Sequence, residues 1–257
     1  MGYSNSSIWI RVFENLRTYG LRRTLLKSMR KLCNRSGDKQ SEQADYSQKQ
    51  IPVLDNVEKF IRDAVQEDNK ELAREAFDWF ESWRSWKDSQ LLDAPESWNA
   101  GSGLSIALYM LIRIVEPSLV VETGTANGAS AASISAALEA NKRGVLHTFD
   151  VYDFELSLVP VHLRPRIVKH QIKRRGGLAA WMRENHELID STSIFIHDSN
   201  HSYEHQKWEY SLAKNFGFKW LVSDDVHDSH AFIEILDGKK SVLIDGDKLV
   251  GVCFFNN

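Results

Sequence analysis

An acid-flanked pair of glycines is the first feature of the sequence that could do chemistry. Glu122 ends an apolar stretch, Gly124 follows it closely, and Gly128 precedes a run of Ala and Ser that is typical of a helix. Gly124 allows a sharp bend and a close approach to a ligand because it has no Cβ atom. The N-terminus of the following helix would offer unpaired N–H groups to a carboxylate or a ribose. The spacing therefore predicts a ligand-binding strand–turn–helix.

The residues around this turn discriminate between cofactors. A dinucleotide-binding turn has the pattern G-x-G-x-x-G, but Ala126 stands where the middle glycine would admit a pyrophosphate. Glu122 would repel a phosphate, whereas it suits the cationic amino group of S-adenosylmethionine. Asp150 ends the next predicted strand, where a carboxylate can accept both hydroxyls of a ribose. A positively charged nucleoside is therefore the expected ligand.

The pattern E-x-G-x-x-x-G, followed by an acid at the end of the second strand, resembles the class I S-adenosylmethionine-dependent methyltransferases. The resemblance implies a cofactor pocket at this turn and a Rossmann-like fold. The residues expected to bind the cofactor are Glu122, Gly124, Thr125, Asn127, Gly128, Ser130 and Asp150.

Three aspartates follow two further predicted strands. Asp198 comes after the strand predicted at 193–197, and Asp224 and Asp225 come after the strand predicted at 220–223. Neighbouring parallel strands lie about 4.8 Å apart, so these carboxylates can converge at one sheet edge. Such a cluster is strongly repulsive when it is unpaired, and a divalent cation would neutralise it. Ligands that are all oxygen favour Mg²⁺, Mn²⁺ or Ca²⁺ over zinc.

The segments around these aspartates, FIHDSNHSYEH and SDDV, sharpen the resemblance. They resemble a methyltransferase subfamily that includes cephalosporin-hydroxylase-like and macrolide- or sugar-modifying O-methyltransferases. The resemblance covers about residues 103–256. It implies that Asp198, Asp224 and Asp225 hold a magnesium ion.

The same resemblance implies methyl transfer to a hydroxyl of a sugar, a glycan or another polyhydroxylated small molecule. A bound cation would lower the pKa of the attacking hydroxyl, and His201 beside Asp198 would act as general base. A structural or metal-orienting role is the alternative for His201. His227 and His230 are further candidates for base or ligand, whereas His197 should point away from Asp198. Two other functions stay open: a different metal-dependent activity on the same fold, and a non-catalytic scaffold.

Alternating helices and strands must position these residues from about residue 103 onward. Strands are expected at 119–122, 145–150, 167–171, 193–197, 220–223, 241–244 and 249–254, and helices at 104–115, 129–141, 178–188 and 203–214. This alternation predicts an α/β fold, a doubly wound and mostly parallel sheet of seven strands. The last two strands would form an antiparallel C-terminal hairpin.

Three regions are predicted along the chain: an S-adenosylmethionine-binding methyltransferase domain at 101–257, a helical cap at 51–100 and an N-terminal helical extension at 1–50. Residues 8–33 read as a basic amphipathic helix, followed by a polar linker at 34–50. The basic helix could contact an anionic membrane surface, dock on a partner or on the main domain, or be a solvated face.

The composition bounds the partners and the compartment. A net charge of −3 gives no general attraction to nucleic acid. Cys33 and Cys253 are too few and too distant for a disulfide framework or a zinc site, which fits a reducing compartment. No run of 18 apolar residues is present. The expected location is cytoplasmic, with peripheral contact at the inner membrane surface and a homo-oligomer as open possibilities.

Overall fold

A single mixed sheet of eight strands organises the computed structural model, which describes residues 51–92, 94–173, 176–228 and 230–255. The strands are β1 Val53–Leu54, β2 Leu119–Thr123, β3 Val145–Asp150, β4 Ile167–Gln171, β5 Ile194–His197, β6 Trp220–Ser223, β7 Gly238–Asp245 and β8 Lys248–Phe255. The helices are α1 Val57–Val65, α2 Lys70–Lys87, α3 Ser102–Val115, α4 Ala129–Asn141, α5 Gly176–Glu184, α6 Tyr203–Asn215 and α7 Ala231–Glu234. The predicted basic helix at 8–33 and the linker at 34–50 lie outside the described residues.

The strand order β1-β7-β8-β6-β5-β2-β3-β4 confirms the doubly wound, Rossmann-like fold. All neighbouring strands are parallel except at β8, which runs antiparallel to both β6 and β7. The predicted C-terminal hairpin is thereby confirmed, but the predicted number of seven strands is wrong. The additional strand β1 pairs Val53 with Val242 at the edge of the sheet. A strand of two residues is too short for its sequence pattern to be distinguished from the helical pattern that follows it.

The sheet is covered on both faces, as its apolar strands require. Residues of one strand alternate between two hydrophobic clusters. Val120 and Ile196 pack in the cluster that contains residues of α1 to α4, whereas Val121 and Phe195 pack in the cluster that contains residues of α5 to α7. Among the described helices, none is long and apolar enough to cross a bilayer.

Helices α1 and α2, which follow β1, pack into the core through aromatic residues. Asn56 and Asn69 cap α1 and α2, each accepting a backbone N–H three residues ahead at 2.9 Å. Trp83 of α2 is buried and donates its indole N–H to the carbonyl of Leu158 at 2.8 Å. The region predicted as a helical cap thus contacts the loop that follows β3.

The strand order reverses at β2, because β3 lies on one side of it and β5 on the other. In a sheet of this kind, ligands bind in the crevice beyond the carboxyl ends of the strands at the reversal. The antiparallel direction of β8 has a second consequence. Its first residue, Lys248, lies at the same edge as the carboxyl ends of β6 and β7, because Lys248 pairs with Asp245 at the end of β7.

Asp245 also caps the helix that precedes the glycine turn. Its carboxylate accepts the backbone N–H groups of Gly103 and Leu104, both at 2.9 Å, in the first turn of α3. Replacing Asp245 with alanine is expected to lower the free energy of unfolding by about 1–2 kcal/mol, since two helix N–H groups lose their acceptor. Asp247→Ala, an exposed position in the same turn, is the matched control and should change stability by less than about 0.5 kcal/mol. Urea denaturation of both variants checks this, and equal losses would contradict the capping role.

Candidate functional site

Gly124 brings the β2–α4 turn into direct contact with the end of β5. Its φ is +95°, and a Cβ atom at this position would lie 1.8 Å from the backbone oxygen of Asp198. The Gly124 N–H donates to the carbonyl of Phe149 at 2.8 Å. The turn is therefore held between the carboxyl ends of β3 and β5, where only glycine fits.

Gly128 packs the start of α4 against the loop that follows β3. Its φ is +84°, and a Cβ atom there would lie 2.8 Å from a methyl group of Val159. The neighbouring carbonyl of Asn127 accepts the N–H of Leu158 at 2.9 Å. This loop and the glycine turn consequently form one packed unit.

Glu122 lies fully buried near the end of β2, just before the glycine turn. One carboxyl oxygen accepts the hydroxyl of Thr148 at 2.6 Å. The other, Oε1, is buried without a hydrogen bond among the described residues. Burial raises the pKa of Glu122 to about 7, against the opposing effect of the hydroxyls of Ser130 and Thr148, and nearby Asp150 raises it further. A cationic or N–H-bearing ligand group would satisfy this open oxygen.

The buried carboxyl of Glu122 makes stability depend on pH. Its pKa is raised above the ordinary value of 4.5, so its contribution to stability is complete below pH 4.5 and is lost as the pH rises through 7. Glu122→Gln removes this loss, so the variant should gain up to about 3 kcal/mol over the wild type between pH 5 and pH 8.5. Denaturation across this range measures the difference. Glu187→Gln, an exposed acid, should follow the wild-type curve, and a parallel curve for Glu122→Gln would refute the assignment.

Asp150 holds the backbone of the glycine turn. One of its oxygens accepts the N–H groups of Thr125 and Ala126 at 3.0 and 3.1 Å, and the other accepts the N–H of Tyr152 at 3.0 Å. Its charge also acts on Glu122. The structure thus brings the two predicted cofactor-binding acids together at one turn.

The polar side chains of the turn have different surroundings. Thr125 is buried, with its hydroxyl 2.8 Å from that of Thr148, and Ser130 is buried at the start of α4. The side chain of Asn127 bonds both backbone groups of Ala94 and the side-chain oxygen of Asn99. Asn127 therefore ties the turn to the segment between α2 and α3, and its predicted contact with the cofactor stays a prediction.

The three aspartates converge at the adjoining strand ends. The backbone N–H of Asp198 donates to Thr123 at 2.9 Å, and that of Asp224 donates to His197 at 2.9 Å, so both residues extend the sheet ladder. Burial raises the pKa of Asp198 well above its ordinary value, and Asp224 raises it further. The expected cluster thus forms next to the glycine turn.

Lys248 lies inside this cluster and was not among the predicted site residues. Its Nζ is 2.8 Å from Oδ2 of Asp224 and 3.4 Å from Oδ2 of Asp225. Burial opposes the charge of Lys248, but the two aspartates outweigh it and keep the pKa of the ammonium above its ordinary value. The other oxygen of Asp224, Oδ1, is buried without a hydrogen bond among the described residues.

His201 faces the same cluster, with its Nε2 3.5 Å from Oδ2 of Asp225. Burial lowers its pKa to about 3, and His197 lowers it further, so the ring is neutral near pH 7. Its Nδ1 is buried and makes no hydrogen bond within the described part of the chain. The structure therefore places His201 beside the aspartates but as a weak base.

His197 belongs to a network centred on Glu209, and its ring lies 5.4 Å from that of His201. Glu209 of α6 lies 2.5 Å from His197 Nδ1, accepts the hydroxyl of Thr123 at 2.7 Å and lies 2.9 Å from His205. Burial alone would raise the pKa of Glu209, but His197 and His205 hold it below its ordinary value. The orientation of His197 relative to Asp198 stays a prediction. His227 accepts the backbone N–H of Leu249 at 3.3 Å, which fits a structural role.

The positive charge that the structure places among the aspartates is that of a lysine, whereas a divalent cation was expected. Within the described ranges, no group of three or more His, Cys, Asp or Glu side chains is placed to hold a metal ion. The ammonium of Lys248 instead supplies positive charge between Asp224 and Asp225. Magnesium assistance is therefore not shown by the described residues.

Comparison with known proteins finds a family match over part of the chain and a similar fold. Residues 121–217 match the sequence model of a family described as a methyltransferase domain. The fold is similar to that of an O-methyltransferase from Bacillus cereus in complex with SAH, with a TM-score of 0.51 and 10% identity over 77% of this chain and 96% of that one. A comparison with curated proteins finds no match.

Two further solved structures are more distant in TM-score. The O-methyltransferase TomG from Streptomyces achromogenes, involved in tomaymycin synthesis and in complex with SAM, has a TM-score of 0.47 and 14% identity over 79% of this chain and 97% of that one. The SAH-bound Podospora anserina methyltransferase PaMTH1 has a TM-score of 0.48 and 13% identity over 73% and 97%.

The fold is that of the class I methyltransferases, and the family match covers the region from β2 to the end of α6. Residues 121–217 are thus similar to a methyltransferase domain, and the fold around them is similar to that of a solved O-methyltransferase.

Proposed function

We propose that this chain transfers a methyl group from S-adenosylmethionine to a hydroxyl of a small polyhydroxylated molecule, such as a sugar or a glycan. The observation that carries the proposal is the carboxyl of Glu122. It is fully buried next to the glycine turn with one oxygen unsatisfied, and Asp150 and Asp198 lie on either side of that turn.

The residues around the turn suit the cofactor. The open oxygen of Glu122 would accept the amino group, and Asp150, held at the turn by two backbone N–H groups, would receive the ribose hydroxyls. Gly124 and Gly128 keep the backbone free of side chains beside this position. Bound S-adenosylmethionine supplies a methyl group on a positively charged sulfur, which keeps the bonding electron pair when the acceptor oxygen takes the methyl.

The acceptor hydroxyl must lose its proton during transfer. A general base works best when its pKa lies near the working pH. Burial and Asp224 raise the pKa of Asp198 well above its ordinary value and so make its carboxylate more basic, whereas burial lowers the pKa of His201 to about 3. We therefore assign the role of general base to the carboxylate of Asp198. His201, beside Asp225, is then a positioning group.

A hydroxyl-bearing acceptor suits the polar composition of this edge. The buried Oδ1 of Asp224 would accept a hydrogen bond from a hydroxyl of the acceptor. Lys248, whose side chain is 26% exposed, would donate a hydrogen bond to an acceptor oxygen. The similar fold of the Bacillus cereus O-methyltransferase favours an oxygen acceptor.

Isothermal titration of the full-length chain with S-adenosylmethionine and S-adenosylhomocysteine tests the proposal. Both should bind at one site, and Glu122→Gln should weaken S-adenosylmethionine by about tenfold or more, since a charge-assisted contact contributes about 1.5–3 kcal/mol. Transfer of labelled methyl to a panel of monosaccharides and glycosides then tests the acceptor class. A folded chain that binds neither cofactor would instead be a non-catalytic scaffold.

A further inference from the structure

The aspartate cluster has its own cation built into the fold. We propose that the Lys248 ammonium takes the place of a divalent metal in this chain, so that Asp198, Asp224 and Asp225 work without one. The inference concerns the same site as the proposed function. It rests on that function only for the role of the aspartates in methyl transfer, and not for the position of Lys248.

The position of Lys248 is set by the sheet and not by a flexible surface segment. It begins β8, pairs with Asp245 across the hairpin, and β8 is hydrogen-bonded along β6 up to Ser223. The next two residues of the β6 chain are Asp224 and Asp225. The antiparallel strand therefore delivers a side chain from outside the parallel set to the carboxyl edge, where a lysine reaches both acids.

The contacts of Lys248 are those that a bridging cation would make. Its Nζ approaches one oxygen from each of two carboxylates, at 2.8 and 3.4 Å, and the side chain is about three-quarters buried, with 26% exposed. Asp198 also interacts electrostatically with Lys248. One ammonium thus contacts two of the acids and acts on the third through its charge.

Asp224 supplies the second observation. Its side chain is 1% exposed, Oδ2 is held by Lys248, and Oδ1 makes no hydrogen bond among the described residues. Removing the Lys248 charge would leave a buried carboxylate without its cation, beside two further acids. Such a site should then recruit a hard divalent ion, since all-oxygen ligand sets favour these metals.

Titration of EDTA-treated full-length protein with MnCl₂, without cofactor, tests the inference. Lys248→Met should bind one Mn²⁺ saturably, because a nearby positive charge is gone, and any residual binding by the wild type should be at least about tenfold weaker. Mn²⁺ should raise the melting temperature of this variant alone. Lys214→Met is the matched control, since it removes an exposed ion pair with Asp237, and it should behave as the wild type.

Two outcomes overturn the inference. One is saturable binding of a single Mn²⁺ by the wild type that Asp224→Asn removes, a result that needs no Lys248 variant. The other is Lys248→Met binding Mn²⁺ no better than the wild type does. If Lys248→Met does not fold in EDTA, Mn²⁺ in the refolding buffer should restore its native circular dichroism, and failure to do so also counts against the inference. If the wild-type chain fails to bind S-adenosylmethionine in the separate titration described above, that result refutes the proposed methyl transfer and leaves the role of Lys248 untouched.

Discussion

Gly124→Ala should destroy cofactor binding and lower stability more than any other single methyl group added to the turn. The new Cβ would lie 1.8 Å from the backbone oxygen of Asp198, which cannot rotate away as a side-chain end could. The backbone at φ +95° adds strain of about 1–2 kcal/mol for a residue with a Cβ. Either the turn moves away from β5 or the end of β5 shifts, and both changes separate Glu122 from the aspartate cluster.

Gly217→Ala separates strain from steric contact. Gly217 has a φ of +86°, close to that of Gly124, but a Cβ atom there would meet nothing within 4 Å. Gly217→Ala should therefore cost only the conformational part, about 1–2 kcal/mol. Gly124→Ala should cost at least about 2 kcal/mol more, as overpacking does. Urea denaturation and S-adenosylmethionine titration of both variants measure this, and equal losses would show that the contact with Asp198 is unimportant.

The fold was predictable because its strands are short apolar runs that end in chemically distinct residues. β3, β4 and β6 have the predicted bounds, and α4 begins at Ala129 as the glycine before it indicates. The missed strand β1 gains its identity from pairing with β7, a contact between residues almost 190 positions apart, and no local pattern encodes it.

The acids of the site were predictable because they directly follow predicted strands. The lysine that neutralises part of their charge was not predictable. Lys248 follows a turn at the far end of the chain and looks like an ordinary hairpin residue. One signal was present: an antiparallel strand beside β6 must bring its first residues to the carboxyl edge. To predict Lys248 from this signal, one must know that β8 lies next to β6, and that strand order depends on tertiary packing.

Asn127 illustrates a second limit. Its place in the turn predicts a cofactor contact, whereas its side chain bonds Ala94 and Asn99. These partners lie in a segment with no motif of its own, so no local pattern predicts that they contact the turn. The segment between α2 and α3 is consequently part of the site's support.

Asp198→Asn should leave the chain as stable as the wild type, or more stable, and nearly abolish methyl transfer. The amide has almost the shape of the carboxyl group, and it removes a buried group whose charge is opposed by burial and by Asp224. An amide cannot take the acceptor's proton, so turnover should fall by about 10²- to 10⁴-fold. S-adenosylmethionine affinity should change little, because the residues proposed to hold the cofactor are Glu122 and Asp150.

His201→Gln is the comparison that identifies the base. His201 contacts the same cluster through Asp225, but its lowered pKa makes it a poor proton acceptor. Turnover of His201→Gln should therefore fall by less than about tenfold, the scale of a perturbed positioning contact of about 1 kcal/mol. Its pH–rate profile should keep the wild-type shape, since the same carboxylate still titrates. Two results would contradict Asp198 as the general base: a larger loss of turnover in His201→Gln than in Asp198→Asn, or normal turnover in Asp198→Asn. The first would make His201 the base, and either would leave Asp198 with a structural role.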